Sequence, residues 1–197
     1  MRQLVFTGLA LMLVMISPLF ATGVAEAEQE DSILQFGLSG NPDTLDPHAT
    51  SGTLTFQTIR SFYDTLVEPD RSGVLVPALA ESWDVSDDNL TWTFRLREGV
   101  SFHNGDPLTS QDVQATFERL MDPDVASPKA DEFSAIESVE TPDERTVVFR
   151  LSAPSAPLLA SMASGWGAIL PASLIEAGHD FGSEPVGTGP FRFIEWV

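Results

Sequence analysis

Hydrophobic positions along the chain fall into short runs whose period switches between 2 and about 3.6, the mark of strands and helices interleaved with turns. Trp92, Phe94 and Leu96 alternate with Thr91, Thr93, Arg95 and Arg97, which predicts a strand with one buried face. Asp87-Asp88-Asn89 just before it is a tight-turn signal, so Trp83 to Val85 is expected to pair with that strand as a hairpin. From Thr53 the period lengthens: Phe56, Ile59, Phe62, Tyr63 and Leu66 predict a helix that Pro69 ends. Thr109-Ser110-Gln111-Asp112 resembles a capping box with Asp in place of Glu. Behind it Val113, Phe117 and Leu120 form one apolar stripe, stopped by Asp122-Pro123.

Further elements follow from the same rules. Ile33 to Leu38 is predicted as a first strand, closed by the turn Ser39-Gly40-Asn41-Pro42. Phe102 to Pro107 reads as a turn, and Ala135 to Val139 and Thr146 to Leu151 as strands joined at Thr141-Pro142-Asp143-Glu144. Pro157 suits the first turn of a helix through Met162, and Pro171 begins a short helix closed by Gly178. Gly187-Thr188-Gly189-Pro190 is a rigid loop, and Phe191 to Val197 alternates as a last strand. With 14 Gly and 14 Pro, a bundle of long helices is disfavoured, and the expected fold class is α/β in the mixed α+β sense.

Composition narrows the function. Ten Lys and Arg stand against 29 Asp and Glu, a net charge of −19, so no cationic face is available for nucleic acid or anionic lipid. Met1-Arg2-Gln3 followed by the apolar stretch Leu4 to Phe20 and by Ala25-Glu26-Ala27 predicts a cleaved secretory signal over residues 1–27. Arg2 and Glu26 leave together, so the charge belongs to the exported part, residues 28–197. Cys is absent, which removes disulfides, thiolate metal sites, a cysteine nucleophile and a lipid-bearing N-terminal Cys. The chain is therefore expected to be exported, with no direct membrane anchor.

Candidate chemistry is sparse. His48, His103 and His179 are far apart, with no His-x-x-x-His spacing, and neither the Asp84, Asp87, Asp88 group nor the Asp122, Asp124 pair has the spacing of a calcium loop. Gly37-Leu38-Ser39-Gly40 is not a nucleophile elbow, and Gly187-Thr188-Gly189 is not followed by the Gly-Lys-Thr of a nucleotide-phosphate loop. No metal, cofactor or catalytic set is expected. The abundance of carboxylates, Asp87-Asp88 among them, leaves open a secreted carboxylate-based hydrolase, and a surface interaction module is a third reading.

Four phrases in order carry a resemblance: Asp43-Thr44-Leu45-Asp46-Pro47, Pro77-Ala78-Leu79-Ala80-Glu81-Ser82-Trp83, the run Trp92 to Asp112, and Pro185-Val186-Gly187-Thr188-Gly189-Pro190-Phe191. Together they resemble the extracellular solute-binding proteins that serve peptide and nickel ABC importers. The resemblance implies a type II periplasmic-binding-protein-like lobe, with a core over 33–47 and 154–197, an inserted subdomain over about 48–153, and the second lobe of the family beyond this chain. It implies a monomer that captures a peptide or similar small polar solute and presents it to ABC permease subunits. Solute clefts need free backbone groups, small residues and aromatic walls. Ser39, Gly40 and Asn41, then Ser51, Gly52 and Thr53 at a helix start, and Gly187, Thr188 and Gly189 are candidates for the first two. A helix start at Thr53 would offer unpaired N–H groups to an anionic end of the solute. Trp166, between Gly165 and Gly167, is the candidate wall, and His48 stands beside the first loop.

Overall fold

The computed structural model describes residues 34–196, so the predicted secretory signal and the terminal residues Ile33 and Val197 lie outside the described residues. Its centre is a four-stranded antiparallel sheet in the order β3-β4-β6-β5, from β3 (Ala80–Val85), β4 (Thr91–Leu96), β5 (Ile136–Asp143) and β6 (Thr146–Leu151). The predicted hairpin forms as expected: Trp83 faces Phe94 and Val85 faces Trp92 in register. Asn89 closes it at φ 59°, a left-handed conformation that Asn tolerates well. A two-stranded ribbon, β1 (Val67–Pro69) with β2 (Leu75–Pro77), precedes this sheet.

Helix α2 (Ser110–Met121) covers the sheet with the predicted stripe, and Val113, Phe117 and Leu120 are fully buried. An edge-to-face series of rings runs from the sheet into the helix: Phe94 to Phe149 at 5.5 Å, Phe149 to Phe117 at 4.9 Å, and Phe117 to Phe133 at 5.6 Å. Each ring contributes about 1.5–3 kcal/mol by burial, and such pairs add roughly 0.5–1.5 kcal/mol more. The capping box is present. Asp112 Oδ2 accepts from the Thr109 N–H at 2.7 Å, and its Oδ1 accepts from the Ala172 N–H at 2.8 Å. One carboxylate therefore starts α2 and also fixes the start of α4 (Ala172–Glu176).

A second apolar cluster joins segments distant in sequence: Leu45, Ile59, Tyr63, Ala168, Leu170 and Phe181. It lies under α1 (Thr53–Ile59) and the stretch that follows α3 (Leu158–Met162).

Four expectations are corrected. Residues 34–38 form no strand, because no ladder partner lies beside them among the described residues and a lone run has nothing to bond to. The α1 helix stops at Ile59 rather than continuing to Leu66. The carbonyls of Ser61 and Phe62 accept from Phe191 and Gly189 N–H at 3.0 and 2.8 Å, so they are not available to propagate a helix. Strand β5 runs through Pro142 to Asp143, and the turn falls at residues 144–145. An edge strand with a bulge between Glu140 and Asp143 tolerates a proline that lacks a donor. Residues 191–196 are irregular: Phe191 and Ile194 are 56% and 81% exposed, and no neighbouring strand is present among the described residues.

Candidate functional site

The site is built around α1 and the loop before it. Thr50 and Thr55 hydroxyls both donate to Asp43 Oδ1, from Thr50 at 2.9 Å, and the Asp43 N–H donates to Thr55 Oγ1 at 3.1 Å. The hydroxyl of Thr55, then that of Thr50, holds the Asp43 carboxyl below its usual range. Thr50 Oγ1 also accepts from the Gly52 N–H at 2.9 Å, which sets the N-cap of α1. The helix start therefore already faces a carboxylate of the protein itself. Ser51 and Thr53 are exposed there, and Ser39, Gly40 and Asn41 form an exposed turn whose Gly40 lies against Leu54.

Trp166 lies across from α1 and is held from several sides. Its Nε1–H donates to the Thr50 carbonyl at 2.9 Å, Phe56 meets it edge-on at 4.9 Å, and Lys129 Nζ stands 4.7 Å over its ring. Lys129 is tied in turn to Glu132 at 2.7 Å, and that contact holds the Glu132 carboxyl low. The flanking glycines permit the approach: a Cβ on Gly165 would stand 2.2 Å from the Phe56 ring, and one on Gly167 2.2 Å from the Met162 carbonyl. Two adjoining depressions share Arg60, Ser164 and Gly165 and together form a groove. One, of about 380 Å³, is lined by Thr53, Phe56, Gln57 and Trp166; the other, of about 200 Å³, by Asp64, Thr65, Glu68 and Pro69.

His48 stands behind this groove and is fully buried, so it is out of reach of solute. Arg119 Nη1 donates to His48 Nδ1 at 2.8 Å, and Arg119 Nη2 pairs with Asp46 Oδ2 at 2.5 Å. Burial, and then the neighbouring guanidinium, push the imidazole pKa down to about 3, so the ring is neutral and accepts from Arg119 through Nδ1. This knot ties the loop before α1 to the middle of the chain.

Gly187, Thr188 and Gly189 lie against the stretch that follows α1 and are not themselves among the residues that line the groove, although Thr188 bonds one of those, Asp64. A Cβ on Gly187 would stand 2.3 Å from the Phe62 carbonyl oxygen, and one on Gly189 2.7 Å from that of Ser61. His103 clasps the loop: its N–H donates to the Gly187 carbonyl at 2.9 Å, and its Nε2 bonds the Gly189 carbonyl at 2.8 Å. Thr188 Oγ1 donates to Asp64 Oδ2 at 2.9 Å. The structure thus brings Thr53 and Trp166 together in one groove, sets the 39–41 turn beside the helix that lines it, and gives His48 and the glycine loop supporting positions.

Arg60, Asp64 and Glu68 were not singled out by the sequence. Their signal was present only as charges placed late in, or just beyond, an amphipathic helix. Other carboxylates are occupied or solvated. Asp46 and Asp112 are the buried ones among the described residues and have the partners given above, while Asp88 lies in the exposed hairpin turn and accepts from Ser86 Oγ at 2.6 Å. Among the described residues no group of three or more His, Asp or Glu side chains is placed to hold a metal ion. No helix among them is long and apolar enough to cross a membrane.

The chain is similar to known proteins over most of its length. Residues 74–197 match the family described as bacterial extracellular solute-binding proteins, family 5 Middle. The chain is 34% identical over 154 residues to the glutathione-binding protein GsiB of Pectobacterium atrosepticum, covering 78% of this chain and 30% of that protein. It is 38% identical over 180 residues to di/tripeptide-binding protein 2 of Pseudomonas aeruginosa, covering 79% and 34%. A solved binding protein of A. tumefaciens R10, AgaA in complex with agropinic acid, superposes with a TM-score of 0.76 at 38% identity, covering 80% of this chain and 32% of its own. The chain therefore spans about a third of the length of the relatives it matches. Its mixed helix-and-sheet fold is that of type II periplasmic binding proteins, as the sequence predicted.

Proposed function

Because the chain belongs to the bacterial extracellular solute-binding proteins of family 5, we propose that it forms the first lobe of a periplasmic receptor for an ABC importer. The receptor captures a peptide or similar small polar solute, as a monomer, and hands it unaltered to permease subunits in the membrane. The observation that carries this reading is the groove between α1 and Trp166: an aromatic wall fixed by hydrogen bond, ring contact and cation, with polar groups along its floor. A site that binds without reacting needs that arrangement and no nucleophile.

In this reading residues 1–27 are the cleaved leader, residues 33–47 and 154–197 the lobe core, and about 48–153 the inserted subdomain. Leu45 packing with Ala168, Leu170 and Phe181 supports joining the two stretches of the core; Ile59 and Tyr63 pack in that same cluster, and Leu158, Met162 and Ile169 pack with the sheet and α2, so the two parts share apolar contacts. The 39–41 turn with Ser51, Gly52, Thr53 and Trp166 faces solute, while His48, Gly187, Thr188 and Gly189 hold the wall in place. Solute then favours the closed arrangement of the receptor through its greater affinity for that state, and the permease takes the closed form.

Native mass spectrometry of the chain purified from a periplasmic extract, followed by identification of whatever is released on denaturation, tests this. A small polar solute, non-covalently held and chemically intact, is expected. Hydrolysis of a bound peptide during incubation would overturn the reading in favour of an enzyme.

A further inference from the structure

The larger depression contrasts with the acidity of the chain. Among the described residues lining it none carries a carboxylate, and Arg60 is its one charged group. A second cation stands on Trp166 from outside. Lys129 Nζ lies 4.7 Å over the indole centroid, yet Lys129 lines neither depression, so its ammonium covers a part of the ring that the groove does not use. It is the sole lysine of the sequence, every other basic residue being arginine. The ammonium is clamped in place. It donates to Glu132 Oε1 at 2.7 Å, and Glu132 Oε2 accepts from the hydroxyl of buried Ser161, on α3, at 3.2 Å. The backbone on either side is anchored as well. Ala126 adopts φ 53°, a left-handed conformation that a residue with a Cβ keeps only where its surroundings impose it, and Phe133 is fully buried against Phe117.

An indole attracts a cation through the negative charge of its faces, and a compact ammonium can meet the ring and one carboxylate oxygen together. Once one cation is seated there, a second must approach the same ring against a like charge. Arg60 beside the ring acts in the same direction. Apolar side chains meet no such opposition, because their contact with the ring rests on burial and dispersion. Resting on the receptor reading above, we propose that Lys129 is a specificity-determining residue acting through Trp166: by occupying the indole from outside the groove it turns cationic side chains of the solute away from the wall and leaves that place to neutral ones. Lys129 touches no solute itself, and the clamp by Glu132 and Ser161 keeps it from entering the groove.

The test has two arms, both on the purified full chain. Reductive methylation with 13C-formaldehyde labels one side-chain amine and keeps its charge, and the α-amino group, labelled with it, is told apart by titrating about two pH units lower. In the folded chain the Lys129 methyl signal should lie upfield of its position in urea, as a group over a ring face does, and should move back in Trp166→Leu. In the second arm the unlabelled chain is offered a chymotryptic casein digest, and retained short peptides are read by native mass spectrometry. Lys129→Met should raise the retention of peptides containing Lys or Arg, relative to those without, by about two- to fivefold, the worth of the cation–ring contact that the indole can then give to solute. Lys129→Arg, which keeps a cation on the ring, should leave that ratio within about twofold of the parent's. A folded parent whose Lys129 signal stays at its unfolded position, a ratio unchanged in Lys129→Met, or a ratio raised equally in Lys129→Arg would each overturn the role of Lys129 and leave a peptide receptor standing. An upfield signal with no peptide retained by any of the chains would overturn the peptide reading and this inference together.

Discussion

Replacing Gly187 by Ala separates two roles that the Gly-Thr-Gly loop can have. If the loop offered its backbone to solute, a methyl group there would weaken binding and leave folding alone. The structure assigns it packing instead. The added Cβ would stand 2.3 Å from the Phe62 oxygen and 2.5 Å from Tyr63 Cδ1, whereas ordinary contact begins at 3.4 Å. Loop and helix end must therefore part by about 1 Å, and because the first obstacle is backbone, no rotamer change relieves it. The same Phe62 oxygen accepts from the Gly189 N–H at 2.8 Å, and a displacement of that size takes the pair beyond hydrogen-bond range.

Overpacking costs about 1–3 kcal/mol and the lost bond about 1 more, giving roughly 2–4 kcal/mol. For a chain of this size that corresponds to a fall of about 4–16 °C in Tm. Urea unfolding followed by circular dichroism measures it, with Gly37→Ala as the control, since a Cβ at Gly37 meets nothing within 4 Å. The control should stay within about 0.5 kcal/mol of the parent. A Gly187→Ala chain that unfolds at the parent's urea concentration while losing solute retention would refute the packing argument and return the loop to the binding site.

Three further outcomes follow from the buried groups. Arg119→Met leaves Asp46 buried without its cation and should cost about 3–5 kcal/mol in urea unfolding, part of which Asp46→Asn in the same chain should restore. His48 is neutral in the native chain down to about pH 3 but takes a proton near pH 6.5 when unfolded. The unfolded state therefore binds the extra proton as pH falls, and this contribution, complete above pH 6.5, is lost progressively below it. His48→Gln should flatten the pH dependence of unfolding between pH 6 and 5 by up to about 1.4 kcal/mol per pH unit; an identical slope in parent and variant would contradict the buried neutral ring. Trp166→Phe removes the bond to the Thr50 carbonyl and should cost about 1 kcal/mol, and a solute-induced change in tryptophan emission should disappear with it.

The elements whose signal is local were legible in the sequence. The alternation through Trp92, Phe94 and Leu96 and the Thr109 to Asp112 box each describe a structure that neighbouring residues build among themselves, and both formed as expected. The stretches at 34–38 and 191–196 carry a similar apolar signal but form no strand, because a strand also needs a partner and none is present among the described residues. The α1 helix was overextended for a related reason: the residues that stop it, Gly189 and Phe191, lie far along the chain. Trp166 was a candidate wall in the sequence from its place between Gly165 and Gly167, and the structure shows those glycines packed closely against Phe56 and Met162. The burial of His48 was not legible, since nothing near it in sequence names Arg119 as its neighbour.

Several ties at and around the groove are long-range. Trp166 reaches back 116 residues to Thr50, Thr188 reaches back 124 to Asp64, Ala172 reaches back 60 to Asp112, and Arg119 reaches back 73 to Asp46. Each joins a late or middle segment to one that precedes it by many residues, and the bond from Trp166 to Thr50 ties the aromatic wall to the loop before α1, so the two cannot part without breaking a partly buried bond. In the proposed receptor, a groove held in this way is formed before solute arrives, and little ordering entropy is lost when solute enters. Preorganisation of the walls also limits where selectivity can reside. The fixed indole and ring edge accept many apolar side chains with similar energy, so discrimination falls to the groups that remain free to change partner. Among the described residues lining the groove, such groups are the exposed side chains of Thr53, Gln57, Arg60 and Glu68 and the second oxygen of Asp64.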